Sequence, residues 1–389
     1  MGPTHLGIMV QEIFLMNKKP KIIHVITELD IGGAEMQLAL ILPSLQKYVS
    51  NEVICLTGKG PVGEKIEKNN IPVHYIQSKH ALDIVALYRF FKILKQKNPH
   101  ATIGYLLHAD IINRVISKLC KVPVVISSLR SLLFGPPWHH TIDKATKFLV
   151  THYTAQTQAA KQTIQKKFNL KNNQISVIPN AVKTDLVAPN HTPTNNQELT
   201  IICVANLKPL KGLPLLISAF ANIHKKNPQT KLWLIGEGPL RKNLESQIQA
   251  LQLTNIVTLH GTKPHPQEFL HKANIFVLPT EIEGMSNALL EAMSAGLPCI
   301  TTSIPVNKEI ITHQVTGLLF PKNNQEVLEQ AISTLLRDKT LRENLGKEAK
   351  HYIEKNHSIK AVTNKWQTLI QKIKQETCDG AITDYTKKT

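Results

Sequence analysis

The stretch "NIFVLPTEIEGMSNALLEAMSAGLPCITT", residues 274–302, holds the pattern that decides the fold. "NIFVLPT" is an apolar, β-branched run that predicts a strand, "EIEGMS" a turn, and "NALLEAMSAG" a helix that Gly296 and Pro298 bring to an end. "PCITT" opens a second strand. Strand, helix, strand is the unit of a parallel sheet covered by helices. Upstream, "TIICVAN", "KLWLIGEG" and "IVTLHG" repeat the strand signal, and from residue 22 an earlier series does the same with "IIHVITEL", "EVICLTG", "PVHYIQ", "ATIGYLL", "PVVISSL" and "ISVIPN". "LDIVALYRFFKILKQKN" and "DIINRVISKLCK" read as amphipathic helices within that series. Between the two series lies "APNHTPTNNQEL", which is polar, holds two prolines and lacks apolar periodicity.

The expectation is an α/β chain of two tandem Rossmann-like, doubly wound domains facing each other across a cleft. Its parts are an extension at 1–20, an N-terminal domain at 21–187, a linker at 188–199 and a C-terminal domain at 200–360. A helix at 361–389 is expected to pack back on the N-terminal domain and end in a frayed tail.

Length agrees, since 389 residues exceed one ordinary core. Apolar content of 42% and charged content of 19% describe a globular chain. Cys55, Cys120, Cys203, Cys299 and Cys378 are scattered, odd in number and without metal spacing, which points to a reducing cytosol. "LGIMVQEIFLM" is broken by Gln11 and Glu12 and has no basic flank, so it is not read as a signal peptide. No run reaches the roughly 18 apolar residues of a membrane span. A soluble or peripheral protein is expected, at most at the inner face of the plasma membrane.

The net charge of +18 asks for an anionic partner. Up to residue 190 there are 23 Lys and Arg against 11 Asp and Glu, or +12; the remainder carries 23 against 17, or +6. With 5% aromatic residues and no basic block interleaved with aromatics, nucleic acid is not expected. An anionic membrane surface or a phosphorylated acceptor fits better.

Ligands of doubly wound sheets bind beyond the carboxyl ends of the strands. "ELDIGGAEMQLAL" puts Gly32 and Gly33 there, ahead of a helix whose N–H groups can approach phosphate; a tight turn without a ligand reads equally from this pattern. "VANLKPLKGLPLLISAF" puts Lys208 and Lys211 after a strand, as phosphate ligands or as solvated surface charges. One lysine near 4 Å from a phosphate is worth on the order of 4 kcal/mol at an effective dielectric of 20. In the opening stretch Glu283 precedes the helix, Met285, Ser286 and Asn287 offer N–H groups to an anion, and Glu291 lies about one turn inside. Eight residues of continuous helix would span about 12 Å. Such a pair brackets a ligand and does not share a proton.

These residues carry a resemblance. "EGMSNALLEAMSAGLP" resembles the motif of glutamate, seven residues, glutamate of the retaining glycosyltransferases of family four, which have the GT-B fold. "DIGGAE", "IPNAV", "LKPLKG", "GEGPL" and "TGLLFP" follow that family's order, and the likeness covers residues 22 to 375. The resemblance implies a metal-independent hexosyltransferase that moves a sugar from a nucleotide-diphosphate sugar, UDP- or GDP-linked, to a glycan or lipid-linked hydroxyl in cell-surface polysaccharide or glycolipid synthesis. Under it Glu283 bonds donor-sugar hydroxyls, Glu291 the ribose and Lys211 the diphosphate. Gly32, Gly33, Asn206, Lys208, Gly238, Gly284, Met285, Ser286 and Asn287 complete the donor set.

The chain departs from the family at three places. Asn206 stands where many members have Arg, "SIPVN" replaces a Gly-Gly turn, and "SSLRS" lacks the histidine expected near Leu129. On the acceptor side His108 and Arg130 each follow an N-terminal strand; His108 is expected to orient or deprotonate the acceptor hydroxyl, with a helix cap as its structural alternative. No HExxH motif or strand-end aspartate pair indicates a metal or other cofactor. A dehydrogenase is disfavoured because no acid ends "EVICLTG". A GT-B sugar-nucleotide epimerase and an inactive nucleotide-sugar-binding protein remain as alternatives.

Overall fold

The computed structural model describes residues 19–80, 83–130, 137–184 and 198–386. The expected extension therefore falls almost wholly outside the described residues, as does most of the expected linker, from which Leu199 emerges as the first residue of a strand. The chain forms two compact units. Unit 1 takes the described residues up to Gln156, Lys161–Ile178 and the chain from Val362; unit 2 takes Thr157–Ala160 and Pro179–Ala361. The division thus falls after Ile178, ahead of the boundary at 187 that composition suggested, because "PNAV" pairs with unit 2.

Unit 1 runs β1 (Lys21–Ile26), α1 (Gly33–Leu45), β2 (Ser50–Cys55), α2 (Pro61–Glu67), β3 (Val73–Tyr75), α3 (Ile84–Lys97), β4 (Ala101–Tyr105), α4 (Leu107–Leu119), β5 (Val124–Ser128), α5 (Pro137–Ala145), β6 (His152–Ala155), α6 (Gln158–Phe168) and β7 (Ile175–Val177). Unit 2 runs β8 (Leu199–Val204), α7 (Leu213–Lys226), β9 (Thr230–Ile235), α8 (Arg241–Ala250), β10 (Val257–Leu259), α9 (Gln267–Leu270), β11 (Ile275–Leu278), α10 (Asn287–Ser294), β12 (Cys299–Thr302), α11 (Pro305–Ile310), β13 (Leu318–Phe320), α12 (Gln325–Arg337) and α13 (Lys339–Asn356). The helix α14 (Ile359–Thr386) starts in unit 2 and continues in unit 1, where Trp366, Leu369 and Ile370 are buried and the Lys372 ammonium donates to the Asn173 carbonyl at 2.6 Å.

Among the described residues the unit 1 sheet has the order β3-β2-β1-β4-β5-β6-β7 and the unit 2 sheet β10-β9-β8-β11-β12-β13, with every strand pair parallel. The winding reverses between β1 and β4 in one sheet and between β8 and β11 in the other. These switch points open a crevice beyond the carboxyl ends of the strands. Strands covered on both faces need apolar side chains on both, which is why Ile22, Ile23, Val25 and Ile26 of β1 are all buried. Unit 2 follows the same rule through Ile201, Ile202, Phe276 and Val277, packed against Phe220 of α7 and Leu289 and Leu290 of α10.

Two strands escaped the sequence reading. β6 is "HYTA", with His152 bonded to the Ser176 hydroxyl at 2.9 Å and Tyr153 stacked on Phe168, so it packs through polar and aromatic side chains and shows no apolar run. β13 is only three residues long.

Unit 1 also buries charge beneath α4. Arg114 donates to Asp110 at 2.6 Å and to the Ser127 hydroxyl at 3.0 Å, and its other nitrogen pairs with Asp143 at 2.8 Å. Lys167 reaches the second oxygen of Asp143 at 3.1 Å. Burial pushes the Asp110 carboxyl up to about 6, against the pull of Arg114 and the Ser127 hydroxyl. Such a set holds only while complete, because removing Arg114 strands the Asp110 carboxylate away from water and leaves Asp143 to Lys167 alone. Arg114→Met should accordingly lower stability by about 3 to 5 kcal/mol. Urea denaturation at neutral pH checks this, and an unshifted midpoint contradicts it.

Candidate active site

In unit 2 the chain leaves β8 through Ala205–Gly212 and leaves β11 through Pro279–Ser286, on either side of the switch point. Backbone stitches join the two loops. The Leu210 carbonyl accepts the Glu281 N–H at 2.8 Å and the Thr280 hydroxyl at 3.2 Å. Gly212 has φ +67°, and a Cβ there would stand 2.1 Å from the Pro279 carbonyl oxygen, so the seam admits no side chain. Its effect is to bring the Lys211 ammonium within 2.5 Å of a Glu283 carboxylate oxygen. Lysine and glutamate are 22% and 14% exposed, so the attraction is screened less than at an open surface.

Asn206 and Lys208 occupy the same loop and are exposed. A third loop, after β9, presses in on them: a Cβ at Gly238 would lie 2.5 Å from the Leu207 carbonyl, and Leu207 donates to the Glu237 carbonyl at 2.9 Å. The helix α10 begins at the same sheet edge. Ser286 caps it, accepting the Leu289 N–H at 3.3 Å. Met285 and Ser286 are buried, Gly284 and Asn287 half-buried.

Glu283 sits four residues ahead of α10, so the helical rise applies only from Asn287 to Glu291, about 6 Å. The 12 Å figure for a continuous helix does not describe this pair. Glu291 is half-buried beside Gln267 of α9; burial pushes its carboxyl up to about 7, and the Gln267 hydrogen bond offsets this only in part. The edge therefore combines a cation, a carboxylate, a helix N-terminus and a carboxyl group that titrates near neutrality. Among the described residues no group of three or more His, Cys, Asp or Glu could hold a metal ion.

At the unit 1 switch point Gly32 is the N-cap of α1 and Gly33 its first residue. The Glu35 carboxylate folds back there, accepting N–H groups of Glu35 and Ala34, so in this state the helix supplies its own anion. Burial pushes that carboxyl up, and the backbone hydrogen bonds partly offset it. Arg130, after β5, lies over the Tyr105 ring at 5.3 Å, and burial lowers its pKa against the attraction of Tyr105 and Glu35. His24 is buried beneath: burial lowers it to about 4, its Nε2 donates to the Asn51 amide oxygen at 3.0 Å and its Nδ1 accepts from the Tyr105 hydroxyl at 3.0 Å. His108 lies exposed in the first turn of α4, two residues after Leu106, which holds φ +62°. A non-glycine residue at positive φ is strain of the kind that gathers at ligand sites.

Residues 188–352 match the family model of the glycosyl transferases group 1. They form a glycosyl transferases group 1 domain. All the unit 2 residues above lie within this domain. A Streptomyces coelicolor exopolysaccharide phosphotransferase is 31% identical over 219 residues, 56% of this chain, and the chain spans only 23% of that protein. The UDP-Gal:alpha-D-GlcNAc-diphosphoundecaprenol alpha-1,3-galactosyltransferase of Escherichia coli is 25% identical over 67% of this chain and 72% of its own length. Among solved structures, Anabaena HepE in complex with UDP and glucose superposes with a TM-score of 0.79 at 17% identity, over 91% of this chain and all of that one. The two parallel-sheet units are those of the GT-B fold.

Sequence reasoning missed Glu35, Gln267 and Asn180. Glu35 had a visible signal, an acid in the first turn after "GG", and Asn180 lay within "IPNAV" without a role attached, whereas Gln267 had none.

The group 1 domain carries a testable cost at Glu291. Its carboxyl holds its proton more tightly folded than unfolded, so ionisation opposes folding once pH passes about 4.5 and does so fully above about 7. Glu291→Gln, neutral throughout, should therefore be more stable than the parent by up to about 3 kcal/mol at pH 8 and no more stable at pH 4. Thermal melts at both values decide it; a gain independent of pH would mean that the carboxyl is not held above its ordinary range.

Proposed function

We propose that this protein is a metal-independent, retaining glycosyltransferase of family four, a hexosyltransferase using a UDP- or GDP-linked sugar and acting on a glycan or lipid-linked hydroxyl in cell-surface polysaccharide or glycolipid synthesis. The observation that carries this reading is the Lys211–Glu283 pair at the switch point of a group 1 domain. A diphosphate arriving at that edge meets Lys211 and the N-terminus of α10 together, two positive ends aimed at one leaving group. Lys211 turns from Glu283 to phosphate, and the released carboxylate accepts hydroxyls of the donor sugar. Glu291, a turn inside α10, takes the ribose. The bond from the anomeric carbon to the diphosphate oxygen breaks as the acceptor oxygen bonds that carbon on the same face, and the acceptor proton passes to the departing phosphate. His108 and Arg130 serve the acceptor.

The galactosyltransferase named above supports a UDP donor and a lipid-linked acceptor, and α3 supports a membrane surface. That helix buries Ala86, Phe90 and Leu94, yet Ile84, Val85 and Tyr88 are 80%, 60% and 65% exposed. Arg89, Lys92 and Lys95 follow, with no acid from Ile84 to Lys97, while Lys97 itself pairs with Glu52 at 2.8 Å. Among the described residues no helix is long and apolar enough to cross a membrane. Apolar insertion beside basic charge suits a peripheral protein at the cytoplasmic leaflet.

Three outcomes test the reading. Incubation with nucleotide sugars and a lipid-linked acceptor should give a product of retained anomeric configuration by NMR; an inverted product overturns the mechanism. Lys211→Ala should lose about 10²- to 10³-fold in turnover at saturating donor, without comparable rescue by magnesium. A variant that keeps more than about a tenth of turnover would show that the leaving-group site lies elsewhere. The protein should sediment with anionic vesicles more than with neutral ones, less at high salt, and less after Tyr88→Ser; equal sedimentation with both removes the membrane from the proposal.

A further inference from the structure

The segment by which the chain enters unit 2 grips α10 at both ends. Asn180, buried, donates from its side-chain amide to the Met285 carbonyl at 3.3 Å and to the Asn287 side-chain oxygen at 2.6 Å, and its backbone N–H points to the Met285 sulfur at 3.2 Å. Three residues on, the Lys183 carbonyl accepts the hydroxyl of Ser294, the last residue of α10, at 2.7 Å. The segment is itself anchored. The Asn180 carbonyl accepts from Nδ1 of buried His357 at 3.0 Å, which fixes the proton on that nitrogen, and Val182 donates to the His357 carbonyl at 2.8 Å within a parallel bridge from Val182 to Ser358. The strand that brings the chain into unit 2 and the turn from which it leaves are thus tied to each other and to one helix.

An eight-residue helix does not hold its own end in place. Ser286 satisfies the N–H of Leu289 but does not fix the turn before it. Asn180 does, because both of its amide hydrogens are committed to that turn.

We propose that Asn180 is a positioning residue for the donor diphosphate: by clamping Met285–Asn287 it aims the N-terminus of α10 at the phosphates. This rests on unit 2 being the nucleotide-sugar site. It predicts an effect centred on phosphate recognition, since Glu291, which holds the nucleoside, lies a full helical turn beyond the clamped residues.

The test compares calorimetric affinities for UDP and uridine, and for GDP and guanosine, in the parent, Asn180→Asp and Asn180→Ala, at pH 8 and pH 5.5. Aspartate keeps the size of asparagine, but when ionised it turns an acceptor toward the Met285 carbonyl. The nucleoside diphosphate should bind Asn180→Asp about 10- to 100-fold more weakly than the parent at pH 8, with nucleoside affinity unchanged. That gap should narrow at pH 5.5, because burial at this position raises a carboxyl's pKa and lets a larger share of the aspartate hold a proton and donate again. Asn180→Ala should show the same selective loss at both pH values. Equal losses for nucleoside and diphosphate, or no loss, overturn the inference while the proposed function stands. If the parent binds neither nucleoside diphosphate, the functional reading fails first and takes the inference with it.

Discussion

A parallel sheet cannot return its chain by a hairpin; every strand must be reached by a covered crossover from the opposite edge. All the strand pairs described in both units obey this, so each sheet gathers the carboxyl ends of its strands along one rim. Where winding changes direction, neighbouring crossovers depart to opposite faces and leave that rim uncovered. The placement of Lys211 and Glu283 is a consequence: one follows β8, the other β11, and no other strand pair of that sheet could offer two loops to the same crevice. The same geometry puts Gly32, His108 and Arg130 on the rim of unit 1.

Both rims are electrostatically closed at rest. Lys211 is neutralised by Glu283, and the N-terminus of α1 by Glu35. An unmatched charge in such partly buried places would cost several kcal/mol. Each therefore comes with a protein-borne counterion, and an incoming anion competes with a carboxylate already present. On the proposed function, donor binding is weaker than an empty cradle would give and selectivity is better, since a ligand must carry more than one negative charge to outmatch a single carboxylate.

Much of this was legible in the sequence. The βαβ rhythm, the glycines at turns and the two glutamates flanking an apolar segment follow from local rules, and the structure puts Lys211, Glu283 and the head of α10 on one edge. Other features lacked a local signature. β6 hides because it packs through His152 and Tyr153 without an apolar run, and nothing in "HYTAQT" announces the Ser176 hydroxyl that His152 bonds. The Arg114 network joins residues from three helices and a strand, and no spacing encodes it. Asn180 could be read as part of a motif but not as a clamp, for its partners lie more than a hundred residues away.

The interleaving of the units has a consequence for biosynthesis. Unit 2 is contiguous from Pro179 to Ala361 apart from four residues, whereas unit 1 waits for Val362, Trp366, Leu369 and Ile370. On the ribosome the first half of the chain is made first and finished last. Until α14 emerges, unit 1 exposes the apolar surface that those side chains cover, which is what chaperones bind and proteases find. A chain whose translation stopped short of residue 362 would hold all of unit 2 beside an unfinished unit 1. Completion of unit 1 therefore coincides with the end of synthesis.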